Sequence, residues 1–248
     1  MEHLTSRKNA VIRHVRLLAG DGAYRHEAGE YLCDGWKTLR EALTFGAEVR
    51  LILWKEKPEA GDYGGAAEAV CPKELFDYAS PMANSPGPLF TVKIPEPENT
   101  QKLRRALVLE GVQDPGNVGT VIRTANAFGV DAVILLEGCA DLYQPKTVRS
   151  TMGAIFRQRV IRTTLAALPG FLRENGLPLY GAALAPDALD VRSIDLHASA
   201  VAVGSEGRGL SEELLALCEK KIILPMQPDS ESLNAAVAAA LLRWEMAR

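Results

Sequence analysis

The chain has 248 residues, of which 47% are hydrophobic and 24% charged, ordinary globular values that exclude a disordered tail protein or a fibrous chain. Its 28 lysines and arginines stand against 31 aspartates and glutamates, and the formal net charge of −3 argues against a protein built to coat nucleic acid. The four cysteines, Cys33, Cys71, Cys139 and Cys218, form no CxxC pair, so no metal site is expected and the thiols read as small buried hydrophobes. Met1–Ala10 is polar and basic, without the apolar run of a signal peptide. The longest apolar run, Ala235–Leu242, is far shorter than the ~20 residues of a membrane span. A cytoplasmic protein without a membrane partner is expected.

In chain order, Asn9–Leu18 sets Val11, Val15 and Leu18 on one face at helical spacing. A second helix is expected over Gly35–Phe45 with Gly46 as its C-cap, and a strand over Val49–Trp54. The stretch Ser80–Gln101 carries Pro81, Pro86, Pro88, Pro95 and Pro97, which disfavour helix and central strand. It therefore reads as a linker, with residues 1–95 before it, a boundary over 96–103, and 104–248 beyond. Past the boundary, strands at Ala106–Val112 and Val130–Leu136 flank a helix near Val118–Phe128. Further strands are expected at Leu177–Leu184, Ala200–Gly204 and Lys221–Met226, with helices at Ser211–Cys218 and from about Glu231 onward. Such alternation predicts an α/β fold with a mostly parallel sheet, whose ligands sit beyond the carboxyl ends of the strands.

Three loops follow three of these strands. The first, Asp114–Arg123, makes a tight turn at Pro115-Gly116, with Asn117 suited to cap the next helix and Arg123 within it. The second, Val203–Leu210 (VGSEGRGL), has three glycines with GxxGxG spacing, which matches neither a dinucleotide fingerprint nor a phosphate-binding P-loop. The third runs from Leu224 to Asn234 and gathers Ser230, Ser232 and Asn234 at a helix start, with Asn234 past the expected cap. Charge is uneven as well. Leu142–Arg173 holds Lys146, Arg149, Arg157, Arg159, Arg162 and Arg173 and no acid, and the first 25 residues hold Arg7, Lys8, Arg13, Arg16 and Arg25. A patchy basic surface on a slightly acidic chain suits a selective polyanion binder.

Taken together, the stretches DPGNVGTVIRTANAFGV, VGSEGRGL and LPM…ESLN resemble the three motifs of the SpoU (TrmH-like) RNA methyltransferases of the SPOUT superfamily. LYQPKTVRSTMGAIFRQRV is similar to the family's stretch between its first two motifs, so the likeness spans about residues 104–248. SRKNAVIRHVRLL and YLCDGWKTLREAL resemble, more loosely, the substrate-binding domain often joined to it. The resemblance implies a knotted (trefoil) SPOUT domain, a small N-terminal α/β (L30e-like) domain, and a homodimer. It also implies S-adenosylmethionine bound mainly through backbone groups, and methylation of ribose 2′-hydroxyls of ribosomal or transfer RNA. Carried over by position, Gly204, Gly207, Leu224, Met226 and Leu233 would form the cofactor pocket. Asn117, Arg123, Glu206, Ser232 and Asn234 would be the catalytic polar residues. Lys146, Arg149, Arg157, Arg7, Lys8 and Arg13 would bind RNA, with 23S ribosomal RNA favoured over transfer RNA. Pro228 stands where relatives commonly have glycine.

The chemistry is consistent with these residue types. The three loops contain no histidine or metal-ligand cluster. A guanidinium with pKa above ~12 is a poor base, so Arg123 is expected to stabilise a developing alkoxide electrostatically. The rival expectation is a non-catalytic RNA-binding protein on the same scaffold; a nicotinamide dehydrogenase is excluded by the glycine spacing.

Overall fold

The computed structural model describes residues 1–56, 61–96, 102–227 and 232–247. They form two compact units, one made of Met1–Glu96 together with Asp141–Phe156 and the other of the remainder.

The first unit runs through β1 (Glu2–His3), α1 (Ala10–Gly20), α2 (Gly22–Ala28), β2 (Glu30–Asp34), α3 (Trp36–Thr44), β3 (Val49–Trp54), β4 (Ala67–Val70), α4 (Lys73–Ala79) and β5 (Leu89–Lys93). The sheet order is β1-β4-β3-β5-β2, with β4 parallel to β1 and β3, and β5 antiparallel to β2 and β3. Strand side chains alternate between two cores, as the period of two requires. Leu32, Leu53 and Leu89 join Ile12, Val15 and Leu18 of α1 and Phe76 of α4 on one face. Tyr31, Cys33, Ile52, Trp54 and Phe90 join Leu39 and Ala42 of α3 on the other.

The remaining elements are β6 (Arg105–Leu109), α5 (Pro115–Ala127), β7 (Ala132–Leu135), α6 (Pro145–Ser150), β8 (Val160–Arg162), α7 (Leu168–Asn175), β9 (Leu179–Ala182), β10 (Leu189–Asp190), β11 (Ser199–Val203), α8 (Glu212–Leu217), β12 (Lys220–Ile223) and α9 (Ala235–Glu245). The second sheet is ordered β10-β12-β9-β11-β6-β7-β8, and every pairing in it is parallel. Ala106, Leu107, Val108 and Leu109 are all buried, because a parallel strand covered on both faces needs an unbroken apolar run rather than alternation. Since all strands point one way, the loops after β6, β11 and β12 leave the same edge, and those are the three loops that the sequence singles out.

Four expectations are corrected. The Ser80–Gln101 stretch is not wholly linker: Leu89–Lys93 lies between Pro88 and Pro95, escapes both rings, and forms the central strand β5. The stretch 104–248 is interrupted, because Asp141–Phe156 belongs to the first unit. There α6 packs on β2, Val148 enters the core of the α3 face, and Tyr143, Ile155 and Phe156 pack around it. Helix α5 begins three residues earlier than expected, with Asp114 rather than Asn117 as its cap. Helix α9 begins at Ala235, with Asn234 as its cap rather than past it. Pro228 and Ser230 lie outside the described residues.

Candidate functional site

The first loop is built on a helix start. Asp114 accepts the backbone N–H of Asn117 at 3.0 Å, and Pro115 fills the first helical position, where no N–H is needed. This places Asn117 in the first turn of α5 with its side-chain amide free to reach across the loops.

The second loop folds tightly on itself. Gly209 donates its N–H to Ser205 O at 2.9 Å, and Ser205 and Gly209 form an isolated bridge. Gly204 is obligatory there, since a Cβ on it would lie 2.1 Å from the carbonyl carbon and oxygen of Gly209. Gly207 is different: a Cβ on it would meet open space. The loop is anchored from β6 as well. Glu110 accepts the backbone N–H and the hydroxyl of Ser211, each at 2.7 Å, and Ser211 in turn caps α8. Sequence reasoning missed Glu110, because the strand expected over Ala106–Val112 ran through it, whereas β6 ends at Leu109.

The third loop meets the other two at Asn234. Its Oδ1 accepts from Ala236 and Val237, capping α9, while its Nδ2 donates to Asn117 Oδ1 at 3.1 Å and to Glu206 Oε1 at 3.4 Å. Asn117 Nδ2 donates to the same Glu206 oxygen, and so does the Ala235 N–H at 3.3 Å. One carboxylate oxygen of the second loop thus gathers donors from the other two, at the N-terminus of an eleven-residue helix, where the helix dipole favours negative charge. With three N–H donors on it, that Glu206 oxygen acts as a tie between loops.

The structure brings Asn117, Glu206 and Asn234 together, and it leaves Arg123 and Ser232 outside that network. Arg123 is exposed on α5, and among the described residues its guanidinium makes no hydrogen bond or ion pair. Ser232 is exposed, and Leu224, Met226 and Leu233 are half-buried. Of the basic residues, Arg7, Lys8, Arg13, Lys146 and Arg157 are exposed. Arg149 is not presented in the same way: its Nη1 is buried without a hydrogen-bond partner. Burial raises the Asp34 carboxyl above its ordinary value, and the Ser85 hydroxyl bond and the Arg149 charge partly offset this.

No described residues form a group of three or more potential metal ligands. Burial pushes all four thiols up, Cys71 and Cys218 to about 11, so no cysteine offers a thiolate near neutral pH. What remains is a polar, backbone-rich site at the carboxyl edge of a parallel sheet, with one unengaged guanidinium on α5.

The comparisons decide the family. The SpoU rRNA Methylase family matches residues 104–244. This chain belongs to that family. It is an RNA methyltransferase. The chain is 32% identical to the 23S rRNA (guanosine(2553)-2′-O)-methyltransferase RlmP of Bacillus subtilis, across 99% of both chains. It also resembles the SpoU methyltransferase AviRb of Streptomyces viridochromogenes in complex with AdoMet, at 26% identity and TM-score 0.86, covering 97% of this chain and 98% of that one. An RNA 2′-O ribose methyltransferase structure matches at 27% identity and TM-score 0.81, over 98% of this chain and 97% of the other.

Proposed function

We propose that this SpoU-family enzyme transfers the methyl group of S-adenosylmethionine to a ribose 2′-hydroxyl of 23S ribosomal RNA, and that it does so in the cytoplasm as a homodimer. The observation that carries this reading is the single Glu206 oxygen on which Asn117, Asn234 and Ala235 converge. A protein that only gripped RNA would have no need to hold three separate loops in register at one sheet edge.

The residues present fit the cofactor. The close approach of Gly204 to Gly209 makes a compact backbone wall, and the stretch after β12 contributes half-buried Leu224, Met226 and Leu233 as apolar surface. When bound, S-adenosylmethionine supplies a methyl group already activated on a sulfonium. The chain's own task is to align the ribose oxygen and to offset the charge that grows as the hydroxyl loses its proton. Arg123 suits the second role, as an unpaired guanidinium that cannot act as a base but can donate several N–H groups to an alkoxide. Asn117, Glu206 and Asn234 are positioning residues, with Ser232 near enough in sequence to orient the ribose.

A trefoil knot is supported by Asn234 and Ala235 lying against the closed Gly204–Leu210 loop before α9 packs on α5. An L30e-like first unit is supported by its mixed sheet with helices on both faces. Dimerisation is supported by α9, where Val237, Leu241 and Trp244 are about half exposed at helical spacing and Phe128 stacks edge-on against Trp244. Exposed Arg7, Lys8, Arg13, Lys146 and Arg157 would take RNA phosphates. The favoured RNA is ribosomal, because the end-to-end match with RlmP includes the first unit.

The deciding experiment measures labelled methyl incorporation into 23S ribosomal RNA, with the product mapped by resistance to alkaline cleavage. Arg123→Ala should keep its S-adenosylmethionine affinity, read by calorimetry, and lose at least about 100-fold in transfer rate. Wild-type protein that neither binds the cofactor nor labels the RNA would overturn the reading in favour of a non-catalytic RNA binder.

A further inference from the structure

We infer that Tyr78 and the start of α1 form a preorganised docking patch for the phosphodiester backbone of RNA, with Arg7 and Arg16 as its principal contacts. This rests on the RNA substrate reading above, which already gives Arg7 to RNA, and deepens it by adding Arg16 and the Tyr78 support.

Asn9 caps α1 by accepting the Val11 N–H at 2.8 Å, which fixes Arg7 and Lys8 in the turn just before the helix. Arg13 and Arg16, three residues apart, share the outward face of α1. Tyr78 lies in the last turn of α4, half-buried. The guanidinium carbons of Arg7 and Arg16 lie 4.3 Å and 4.2 Å from its ring centroid, and Arg16 Nη1 also donates to the Tyr78 carbonyl oxygen at 2.5 Å. Two arginines 9 positions apart in sequence are thus held on one aromatic ring contributed by another helix.

The surroundings leave the patch positive. Glu2 accepts from the Asn9 side chain, and Asp77 is paired with Lys73. Among the described residues, Arg7, Lys8, Arg13 and Arg16 have no carboxylate partner, and all four are exposed.

A surface arginine ordinarily surrenders rotamer entropy when a ligand fixes it. Stacking on Tyr78 meets much of that cost in the folded protein before any ligand arrives. A guanidinium stacked by its face keeps its edge donors available, and edge donors match the paired oxygens of a phosphodiester. An extended polyanion is the ligand that uses several such cations at once. The patch carries no feature that would read base edges, so it contributes affinity and register rather than sequence choice.

The test uses the full chain and in vitro transcribed 23S ribosomal RNA in filter binding across a salt series. Removing both stacked charges in R7Q/R16Q should weaken binding at least tenfold near 100 mM salt. It should also lower the slope of log affinity against log salt by about 1.4 to 1.8, the share of two phosphate contacts. Tyr78→Ala, which frees the arginines without removing charge, should weaken binding about threefold to fivefold with the slope preserved. Tyr78→Phe keeps the ring and the main-chain oxygen and should bind as the wild type does. S-adenosylmethionine affinity should be unchanged in all three. A wild-type slope in R7Q/R16Q would overturn the patch. Wild-type protein without affinity for the RNA would instead overturn the substrate reading itself. Both arginines are exposed, so an unchanged thermal melt in R7Q/R16Q separates loss of contact from loss of fold.

Discussion

In the second unit every strand of a seven-stranded sheet runs the same way, and the loops after β6, β11 and β12 open at one edge. In the first unit β5 runs against both its neighbours, β2 and β3, so that sheet is mixed. The parallel sheet concentrates backbone turns, and with them Asn117, Glu206 and Asn234, at a single rim suited to gripping a small molecule and a reacting oxygen. The mixed sheet leaves its helices as the outward surface, and there the notable groups are long cations on α1 with an aromatic support. Direction of strands thus separates a site made mainly of backbone from a surface made of side chains.

That contrast can be broken first at Gly204. Because the Gly204–Gly209 approach leaves no room for a Cβ, Gly204→Val should abolish S-adenosylmethionine binding, a loss of more than about 100-fold by calorimetry. Affinity of the first unit's patch for RNA should survive. Equal loss of both functions would show that the two units do not act separately. In the first unit the corresponding weak point is Arg25, whose side chain is only 6% exposed. It bonds Asp141 at 2.6 Å and the Leu18 carbonyl at 2.7 Å. Arg25→Ala should destabilise that unit by about 3 kcal/mol, since removing one partner leaves the other poorly compensated. Urea melts followed by Trp36 and Trp54 emission in a Trp244→Phe background would check it.

The smallest effect sharpens the comparison by pH. The hydrogen bond with His14 holds the Glu30 carboxyl below its ordinary 4.5, against the opposing pull of burial. The folded chain therefore binds that proton less tightly than the unfolded chain does. The resulting stability is present above about pH 4.5 and is lost as pH falls through the folded value. Glu30→Gln should flatten the acid loss of first-unit stability below pH 4.5, again read by Trp36 and Trp54. A wild-type acid profile in this variant would remove Glu30 from the account.

Much of the second unit was legible beforehand, for physical reasons that attach to particular residues. Ala106–Leu109 is apolar without interruption because both faces of β6 are covered, and Gly204 is a glycine because nothing larger fits. Asn234 was singled out for the right neighbourhood, yet its capping role was missed, since Ser230 and Ser232 offered equally good caps by type. β5 was hidden by the prolines around it, because ring sterics were applied to a five-residue window that contains no proline. The partial burial of Arg149 was hidden too, because its charge matched a run of exposed cations. Tyr78 carried no local signal, because its ring contacts come from Arg16 of α1 and from Arg7 in the turn before that helix.

The path of Asp141–Phe156 has a consequence for how the protein comes to exist. Synthesis runs from the N-terminus, so residues 1–96 emerge while Tyr143, Val148, Ile155 and Phe156, which complete one of their two apolar cores, are still untranslated. The first unit can reach its final packing only after residues 97–140 of the second have been made. A fragment ending at residue 96 would expose the β2 surface that α6 covers, and a fragment beginning there would carry an apolar segment with nothing to receive it. Nascent chains of this protein pass through a stage in which an early unit waits for a late segment, and that stage is the one most open to aggregation.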